Sequence, residues 1–259
     1  MPDSGTLCLL QLTDSHILPD AESRFYGSDS AASLGAVIDH ANRRRFDLVL
    51  FTGDLAQEPV PQSYRRLAGI CAALPAPCHW LPGNHDEPAL ARHVLESTPL
   101  LHQPVIRRGR WLIVCLDSTV PGSAGGSLST GQFDLLERTL SRHPSLHTLV
   151  ALHHHPVPSG SAWMDTMILD NAGEFFAVLR RHPQVKAVVH GHTHQVADVE
   201  IEGTRVLGTP STCIQFRPAS QTFALDAERP GYRWLELGPD GSVATGICRV
   251  AVPPASDTA

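Results

Sequence analysis

Short apolar runs alternate with amphipathic stretches over the first three quarters of the chain. Six runs have the length and composition of buried β-strands, and they cover residues 6–12, 47–51, 78–81, 111–116, 147–152 and 185–190. Between them, apolar residues recur at helical spacing over residues 30–45, 61–74, 87–96, 129–143 and 171–182. Short continuous strands that alternate with helices are typical of an α/β fold with buried, largely parallel pairing.

The pattern changes after Gly191, where strand-like runs follow one another without helices between them. These runs cover residues 195–203, 204–209, 232–237 and 242–250. Consecutive strands joined by turns indicate a second, more antiparallel sheet. Two sheets packed face to face would bury this much apolar sequence, so we predict a four-layer α/β/β/α sandwich of two mixed sheets flanked by helices. We expect one domain over residues 1–250 and a flexible polar tail over residues 251–259.

Composition narrows the possible partners. The 259 residues carry a net charge of -6, with 20 Lys and Arg against 26 Asp and Glu, so there is no excess of basic residues for nucleic-acid binding. No apolar run reaches the roughly 18 residues of a membrane span, and no signal-peptide pattern precedes the first strand. The cysteines are scattered without a CxxC pair, which is typical of reduced thiols. We therefore expect a cytoplasmic monomer or homodimer that binds neither nucleic acid nor a membrane.

Histidine, aspartate and asparagine gather at the carboxyl ends of five predicted strands. They are Asp14 and His16, Asp54, Asn84 with His85 and Asp86, His153 to His155, and His192 with His194. In open α/β sheets, ligands bind where the carboxyl ends of parallel strands meet, so the five clusters predict a single site.

The chemistry of this set favours divalent metal ions. Asp14 and His16 are two residues apart, and so are His192 and His194, so in extended chain both members of each pair point the same way. Imidazole, carboxylate and amide oxygen suit Mn, Fe and Zn, and the lack of cysteine in the set argues against a structural zinc site. The donors are too many for one tetrahedral ion. They suit two ions that share a bridging carboxylate, the usual arrangement for in-line attack on phosphorus.

The order of the motifs resembles that of the calcineurin-like metallophosphoesterases: DxH, GD, GNHD, a histidine two residues before proline, and GHxH. The motifs span residues 14–194, and none is missing. The segments 152–175 and 208–218 further resemble the bacterial class III 3′,5′-cyclic-AMP phosphodiesterases, so the resemblance covers nearly the whole chain. It implies the metallophosphoesterase fold, a cyclic-nucleotide substrate, and two divalent ions per chain, with Fe and Mn favoured and Zn as the alternative.

The resemblance also implies a role for each motif residue. One metal ion is assigned to Asp14, His16, Asp54 and His194. The second is assigned to Asp54, Asn84, His154 and His192, so Asp54 is the bridge. His85 is left without a metal, faces the phosphoryl group and protonates the leaving group. The expected substrate contacts are Asn84, His85 and His194, of which Asn84 and His85 are the expected catalytic residues.

Neighbouring residues are expected to play supporting parts. We expect Asp86 to hold a neighbouring histidine, His153 and His155 to be structural or to support the ligands, and His190 to be buried or to orient a neighbour. Residues 163–165 resemble the family's substrate-side segment, although a Trp-Met pair is also ordinary core. The remaining histidines are interpreted as surface or packing residues: His40, His79, His93, His102, His143, His147 and His182.

These observations together predict hydrolysis of 3′,5′-cyclic AMP to 5′-AMP. A phosphodiesterase of the same fold with broader specificity, for glycerophosphodiesters or 2′,3′-cyclic nucleotides, is the nearest alternative. A DNA nuclease would need a cationic groove, which the negative net charge disfavours. A metal-free interaction module would lack some ligands, yet every ligand position in this sequence is filled.

Overall fold

A computed structural model describes residues 5–252 of the chain; residues 253–259, most of the expected tail, lie outside the described residues. The strands, in chain order, are β1 (Leu7–Leu12), β2 (Leu48–Thr52), β3 (Cys78–Leu81), β4 (Leu100–Leu101), β5 (Val105–Arg108), β6 (Trp111–Cys115), β7 (His147–Ala151), β8 (Val185–His190), β9 (Ala197–Ile201), β10 (Thr204–Gly208), β11 (Gln215–Phe216), β12 (Leu225–Asp226), β13 (Gly231–Leu237) and β14 (Val243–Arg249). The helices are α1 (Ser30–Ala41), α2 (Pro61–Cys71), α3 (Pro88–Leu95), α4 (Thr130–Arg142) and α5 (Ala172–Arg180), and one 3₁₀ turn spans Met164–Met167.

The helices begin where local sequence favours a helix start. Asp29 precedes α1 and accepts a hydrogen bond from the backbone N–H of Ala32, which would otherwise lack a partner. Pro61 and Pro88 open α2 and α3, where the fixed φ of proline suits the first turn and its missing N–H is not needed. Within residues 5–252, no helix is both long enough and apolar enough to cross a bilayer.

Two six-stranded mixed sheets form the centre of the molecule. The first has the order β14-β13-β1-β2-β3-β4 and the second the order β5-β6-β7-β8-β10-β9. Strands β1 to β4 pair in parallel, as do β6, β7, β8 and β10, whereas β13, β14, β5 and β9 add antiparallel edges. The six strands and five helices expected before residue 191 are confirmed, with ends that differ by a few residues.

The strands after Gly191 do not form a sheet of their own, so that expectation was wrong. β9 and β10 continue the second sheet beside β8, and β13 and β14 continue the first sheet beside β1. The parallel units leave one edge of β1 and one edge of β8 unpaired, and the later strands fill these edges. Leu235 and Leu237 of β13 then join the core between the sheets, so the added strand also extends the buried interior.

Three apolar cores separate four layers. Between the sheets, alternate residues such as Leu9 of β1 and Leu149 of β7 face each other. The other face of the first sheet packs on α1, α2 and α3 through residues such as Phe51 and Leu67. The other face of the second sheet packs on α4 and α5. The predicted α/β/β/α sandwich is confirmed.

Candidate active site

The carboxyl ends of β1, β2 and β3 in the first sheet and of β7 and β8 in the second meet in one buried region. The loops after β1 and β2 run side by side, because the N–H of Asp14 donates to the carbonyl of Gly53 at 3.0 Å. The loops after β7 and β8 are joined in the same way, from the N–H of Gly191 to the carbonyl of His153 at 3.1 Å. The N–H of His192 lies 3.1 Å from both carboxylate oxygens of Asp14, which links the two sheets.

Backbone strain concentrates in these loops. Within residues 5–252, eight residues other than glycine have a positive φ, and five of them are expected metal ligands. These five are Asp14, His16, Asp54, His192 and His194, with φ between 45° and 66°. A side chain in the left-handed region costs roughly 1–3 kcal/mol, and such residues cluster at functional sites. The motif residues are therefore held in place by the surrounding fold at the expense of local stability.

Two motif glycines are required because the backbone passes too close to a neighbouring side chain to carry a Cβ. A Cβ on Gly83 would lie 2.2 Å from Oδ1 of Asp54, and a Cβ on Gly191 would lie 2.0 Å from Oγ1 of Thr13. No heavy-atom contact of that length is sterically possible. The glycines of GNHD and GHTH thus allow the backbone to close around the first two strand ends.

Asp14, His16 and His194 form the first donor cluster. Nδ1 of His194 donates to the carbonyl oxygen of Ile214 at 2.8 Å, and Nδ1 of His16 lies 2.8 Å from Oε1 of Gln57. These bonds hold both rings with their Nε2 atoms facing each other at 3.1 Å. Oδ1 of Asp14 lies 3.3 Å from Nε2 of His194. Burial lowers the pKa of His16 to about 3, so its ring is neutral and can offer the Nε2 lone pair to a cation.

His153, Asn84 and Asp54 form the second donor cluster. Nδ1 of His153 donates to the carbonyl oxygen of Thr52 at 2.9 Å. Its Nε2 faces Oδ1 of Asn84 at 3.1 Å and Oδ2 of Asp54 at 3.4 Å. Burial lowers the pKa of His153, but the carboxylate of Asp54 outweighs it and raises the pKa to about 9. This position therefore attracts positive charge strongly, either a proton on Nε2 or a metal ion in its place.

Asp54 faces both clusters. Its Oδ1 accepts the backbone N–H of His85 at 2.9 Å. Its Oδ2 lies 3.7 Å from Nε2 of His16 and 3.4 Å from Nε2 of His153. Burial would raise the pKa of Asp54, but the positive charge of His153 holds it well below its usual range. A single ionised oxygen between two sets of donors has the position that a bridging carboxylate needs.

His154 and His192 complete the site with unsatisfied nitrogens. Nδ1 of His154 lies 2.8 Å from the hydroxyl of Ser118, and the Nε2 atoms of His154 and His192 are buried without a hydrogen-bond partner. Donor atoms of His153, His154 and His192 all lie within 4.8 Å of one another. Burial, and then the neighbouring histidines, lower the pKa of His154 to about 3 and the pKa of His192 well below its usual range. Both rings are therefore neutral, and each has an Nε2 atom without a partner in the described part of the chain.

The donor set fits divalent metal ions. Among the described residues, four groups of three such donors have ligand atoms within 4.8 Å of one another. The groups are Asp14, His16 and His194; Asp14, Asp54 and His153; His16, Asp54 and His85; and His153, His154 and His192. Neutral imidazoles with free Nε2 atoms, fixed from behind through Nδ1, are the usual form of histidine in metal sites.

The structure brings together every residue expected in the site and adds one that the sequence reasoning set aside. His153 was expected to have a structural or supporting role, yet its Nε2 is the histidine nitrogen that faces Asn84 and Asp54. The assignment of His154 was implied by the family's motif, a histidine two residues before proline. No feature of three consecutive histidines distinguishes His153 from His154, because the outcome depends on how β7 leaves its sheet.

Asp86 has a different partner from the one expected. Its carboxylate accepts hydrogen bonds from the backbone N–H groups of Leu55, Ala56 and Gly83 at 3.0–3.1 Å, and from the hydroxyl of Tyr64 at 3.2 Å. It therefore holds the loop after β2 against the loop after β3, and no bond from Asp86 to a histidine is found among the described residues. A short carboxylate beside three free N–H groups meets these donors before it can reach a ring.

A cleft of about 220 Å³ opens beside the donor clusters. His85 lines this cleft, and its ring packs edge-on against that of His16, with centroids 5.2 Å apart. Asn84 and His194 line it as well, so the three expected substrate contacts share one space. Trp163 and Met164 also line the cleft, whereas Asp165 of the same segment does not line it and has its Oδ1 3.3 Å from Nε2 of His155.

The other histidines lie outside the donor clusters, and both ring nitrogens of His79 in β3 are buried without a hydrogen-bond partner among residues 5–252. Nε2 of His155 lies 3.3 Å from Oδ1 of Asp165, and Nδ1 of buried His190 lies 2.9 Å from the carbonyl of Gly191. Nδ1 of His40 lies 3.1 Å from the hydroxyl of Tyr232. None of the seven histidines interpreted as surface or packing residues lines the cleft in the described part of the chain.

The fold and the paired donor clusters define a dinuclear metallophosphoesterase. The profile of the calcineurin-like phosphoesterase family matches residues 9–196, a span that contains all five motifs. The chain belongs to this family, whose members use a dinuclear metal site.

Its relatives are bacterial phosphodiesterases. The chain is 42% identical over 248 residues to the 3′,5′-cyclic adenosine monophosphate phosphodiesterase CpdA of Pseudomonas aeruginosa, a match that covers 95% of this chain and 91% of that protein. It is 42% identical over 246 residues to the CpdA enzyme of Escherichia coli K12, with 94% and 90% covered. It is 39% identical over 252 residues to a 3′,5′-cyclic-nucleotide phosphodiesterase of Nostoc, with 96% and 95% covered.

Solved structures share the fold at low sequence identity. A dimetal phosphatase from Danio rerio matches with a TM-score of 0.63 at 16% identity and covers 95% of this chain and 99% of its own. GAP50, an anchor in the inner membrane complex of Plasmodium, matches with a TM-score of 0.67 at 11% identity, with 97% and 90% covered. A phosphatase and an anchor have the same architecture, so the fold alone does not define an activity.

Proposed function

We propose that this chain hydrolyses 3′,5′-cyclic AMP to 5′-AMP and so lowers the cellular level of this signalling nucleotide. The observation that carries the proposal is the 42% identity, over 95% of the chain, to the CpdA phosphodiesterase of Pseudomonas aeruginosa. The donor clusters beside a cleft support it, because every element that the chemistry needs lies in one buried region.

The proposed cofactor is a pair of divalent ions, with Fe or Mn favoured and Zn as the alternative. We assign the first ion to Asp14, His16, Asp54 and His194. We assign the second ion to Asp54, Asn84, His153 and His192. His153 replaces His154 in this assignment, because Nε2 of His153 faces both Asn84 and Asp54. His154, whose Nε2 has no partner among the described residues, lies at the edge of the second site, with its donor atom within 4.8 Å of those of His153 and His192.

Bound divalent ions supply two things to this reaction, a lowered pKa for attacking water and positive charge beside the phosphate oxygens. The residues of the chain supply orientation and a proton. The amide of Asn84 and the rings of His85 and His194 line the cleft where the phosphate would lie. Because Oδ1 of Asp54 accepts the N–H of His85, the backbone of His85 is fixed relative to both donor clusters.

His85 is the proposed proton donor to the leaving 3′ oxygen. Its ring lies in the cleft and packs against His16, and no hydrogen bond to its ring occurs within the described residues. A ring nitrogen that is free of protein partners can donate to a substrate atom. General acid catalysis of this kind typically contributes roughly 10²–10⁴-fold in rate.

The wider biological setting is also a proposal. We propose that residues 1–250 act as a single domain, as a monomer or homodimer in the cytoplasm, with a cyclic nucleotide as the partner. The six cysteines are all unpaired and most of them are buried, which suits a reducing compartment. The net charge of -6 continues to disfavour nucleic acid as a substrate.

A panel of phosphodiesters tests the substrate. The purified protein, loaded with Mn²⁺, is given 3′,5′-cyclic AMP, 2′,3′-cyclic AMP and a glycerophosphodiester, and products are separated by chromatography. The proposal predicts a kcat/KM for 3′,5′-cyclic AMP at least tenfold above the others, with 5′-AMP as product. Equal or higher kcat/KM for another diester would favour the broader enzyme, and no hydrolysis of any diester would exclude this function.

A further inference from the structure

Five aromatic side chains surround the cleft beside the donor clusters: Phe25, Tyr26, Trp163, Phe216 and Phe223. Two of them stack directly on histidines of the first donor cluster. The ring of Phe25 stacks on that of His16 at 4.6 Å, and the ring of Phe216 stacks on that of His194 at 4.0 Å. This inner pair therefore supports the donors and leaves little ring surface for a ligand.

The other three rings form an outer layer that extends the cleft toward solvent. Trp163 and Phe223 meet edge to face at 5.3 Å, and Tyr26 lies beside Phe223 at 5.2 Å with an interplanar angle of 34°. Tyr26 is 57% exposed and Phe223 is 44% exposed. They are two of only five large apolar or aromatic side chains that are at least 40% exposed within residues 5–252. Both occur at the mouth of the same cleft, which is unusual for isolated surface residues.

Tyr26 also occupies a backbone position that favours other residues. It lies in a tight turn in which Phe25 and Ser28 exchange two backbone hydrogen bonds of 2.9 Å. The two central residues have positive φ, 47° at Tyr26 and 82° at Gly27, as in a type I′ turn. Asparagine or glycine is the usual first central residue of such a turn, and a bulky aromatic side chain there is an outlier. The turn is thus strained by a side chain that it exposes beside the cleft.

We propose that Tyr26 and Phe223 form a platform on which the base of the nucleotide stacks while its phosphate lies against the two donor clusters. The inference rests on the proposed function, since it assigns the base end of the same substrate. Aromatic rings offer stacking surface to any base, and the nearby lining residues Met164 and Met167 are apolar. The platform therefore recognises a nucleobase by its flat face, with little discrimination between adenine and guanine.

The test compares two ligands that differ only in the base. Binding of 5′-AMP and of ribose 5-phosphate to the Mn²⁺-loaded protein is measured by calorimetry, which does not depend on turnover. Stacking on one ring is typically worth a factor of roughly 5 to 150 in affinity. The parent protein should bind 5′-AMP more tightly than ribose 5-phosphate by at least that lower factor.

Four variants test whether the platform causes the tighter binding of 5′-AMP. Tyr26→Ala and Phe223→Ala should each lower the affinity for 5′-AMP by roughly 5- to 150-fold. Their affinity for ribose 5-phosphate should stay within about twofold of that of the parent protein. Tyr26→Phe keeps the ring and should keep the affinity. Tyr26→Asn, which suits the turn, should match or raise the unfolding temperature and still lose 5′-AMP affinity. Leu101→Ala, at an exposed residue that does not line the cleft, is the matched control and should change neither ligand.

Any one of three results would overturn the platform. The affinity for 5′-AMP could be unchanged in Tyr26→Ala and Phe223→Ala, or these variants could lose as much affinity for ribose 5-phosphate as for 5′-AMP. The third result is a loss of 5′-AMP affinity in Tyr26→Phe that equals the loss in Tyr26→Ala. If any of these results is found while the parent protein hydrolyses cyclic AMP, the platform is wrong and the proposed function stands. If the parent hydrolyses no cyclic nucleotide and the variants still lose only 5′-AMP, the proposed function fails and the nucleotide platform stands.

Discussion

At the scale of single residues, His153 and His154 are adjacent in sequence but have different surroundings. His153 presents Nε2 to Asn84 and Asp54, and His154 is held through Nδ1 by Ser118. We expect His153→Ala to lower the metal content from about two ions toward one per chain and His154→Ala to lower it much less, as elemental analysis would measure. His155→Ala is the control, since His155 pairs with Asp165. Loss of metal in His154→Ala with full content in His153→Ala would restore the sequence-based assignment.

Replacement of His85 and replacement of Asn84 should impair catalysis in different ways. His85→Ala should lower kcat on cyclic AMP by roughly 10²–10⁴-fold with little change in KM, because the proton is needed only as the leaving oxygen gains charge. Added metal should not restore this variant, whereas it should partly restore Asn84→Ala, which loses a proposed metal ligand.

A diester with a nitrophenolate leaving group provides the control for His85. This group leaves without protonation, so steady-state kinetics should record a much smaller defect of His85→Ala on it. A defect of the same size on both substrates would mean that His85 stabilises charge on the phosphate and is not a proton donor.

At the scale of elements, the site depends on loops that are tied to one another, and Asp86 makes the main tie in the first sheet. Asp86→Ala would leave the buried N–H groups of Leu55, Ala56 and Gly83 without partners. We expect it to lower the free energy of unfolding by about 3 kcal/mol or more, measured by urea titration, since each unsatisfied group costs roughly 1–3 kcal/mol. Tyr64→Phe removes one bond to the same carboxylate and the bond that the Tyr64 hydroxyl accepts from the N–H of Glu87, so it should cost about 1–2 kcal/mol. Equal losses in the two variants would argue against this role.

Much of the fold could be predicted from the sequence because each element has its own signal. Apolar runs locate β1 to β3 and β6 to β8, and helical spacing locates the five helices. The sheet to which β13 and β14 belong could not be predicted, because pairing with β1 is a long-range contact with no local pattern.

The candidate site, too, could be predicted from the sequence only in part. The motifs identify the strand ends, and these ends do converge. The sequence does not contain the direction in which each histidine ring points, so His153 was set aside. Of the three aromatic rings in the outer layer, the sequence indicated only Trp163. Tyr26 and Phe223 could not be predicted, because they are nearly 200 residues apart and belong to no common motif.

At the scale of the whole molecule, bound metal should stabilise the fold. Ions that bind only the native state contribute about 4 kcal/mol per site at a thousandfold excess over Kd. Two sites contribute about 8 kcal/mol, and 1 kcal/mol shifts Tm by roughly 2–4 °C in a chain of this size, so we expect exhaustive chelation to lower Tm by about 15–30 °C, as calorimetry would record. Asp54→Asn should have a low Tm that chelation no longer changes.

The same calorimetric scans test the number of domains. A single transition before and after chelation would support one domain over residues 1–250, and two separate transitions would contradict it.

The central claim is that this chain needs two divalent ions to open the 3′,5′-cyclic phosphate ring to 5′-AMP. The most direct test is a titration of the metal-free protein with Mn²⁺, in which the rate of 5′-AMP formation from cyclic AMP is followed against ions bound per chain. We expect no product without metal, full rate at about two ions per chain, and no product from Asp54→Asn at the Mn²⁺ concentration that saturates the parent protein. Full 5′-AMP formation by the metal-free protein, or saturation at one ion with Asp54→Asn fully active, would contradict it.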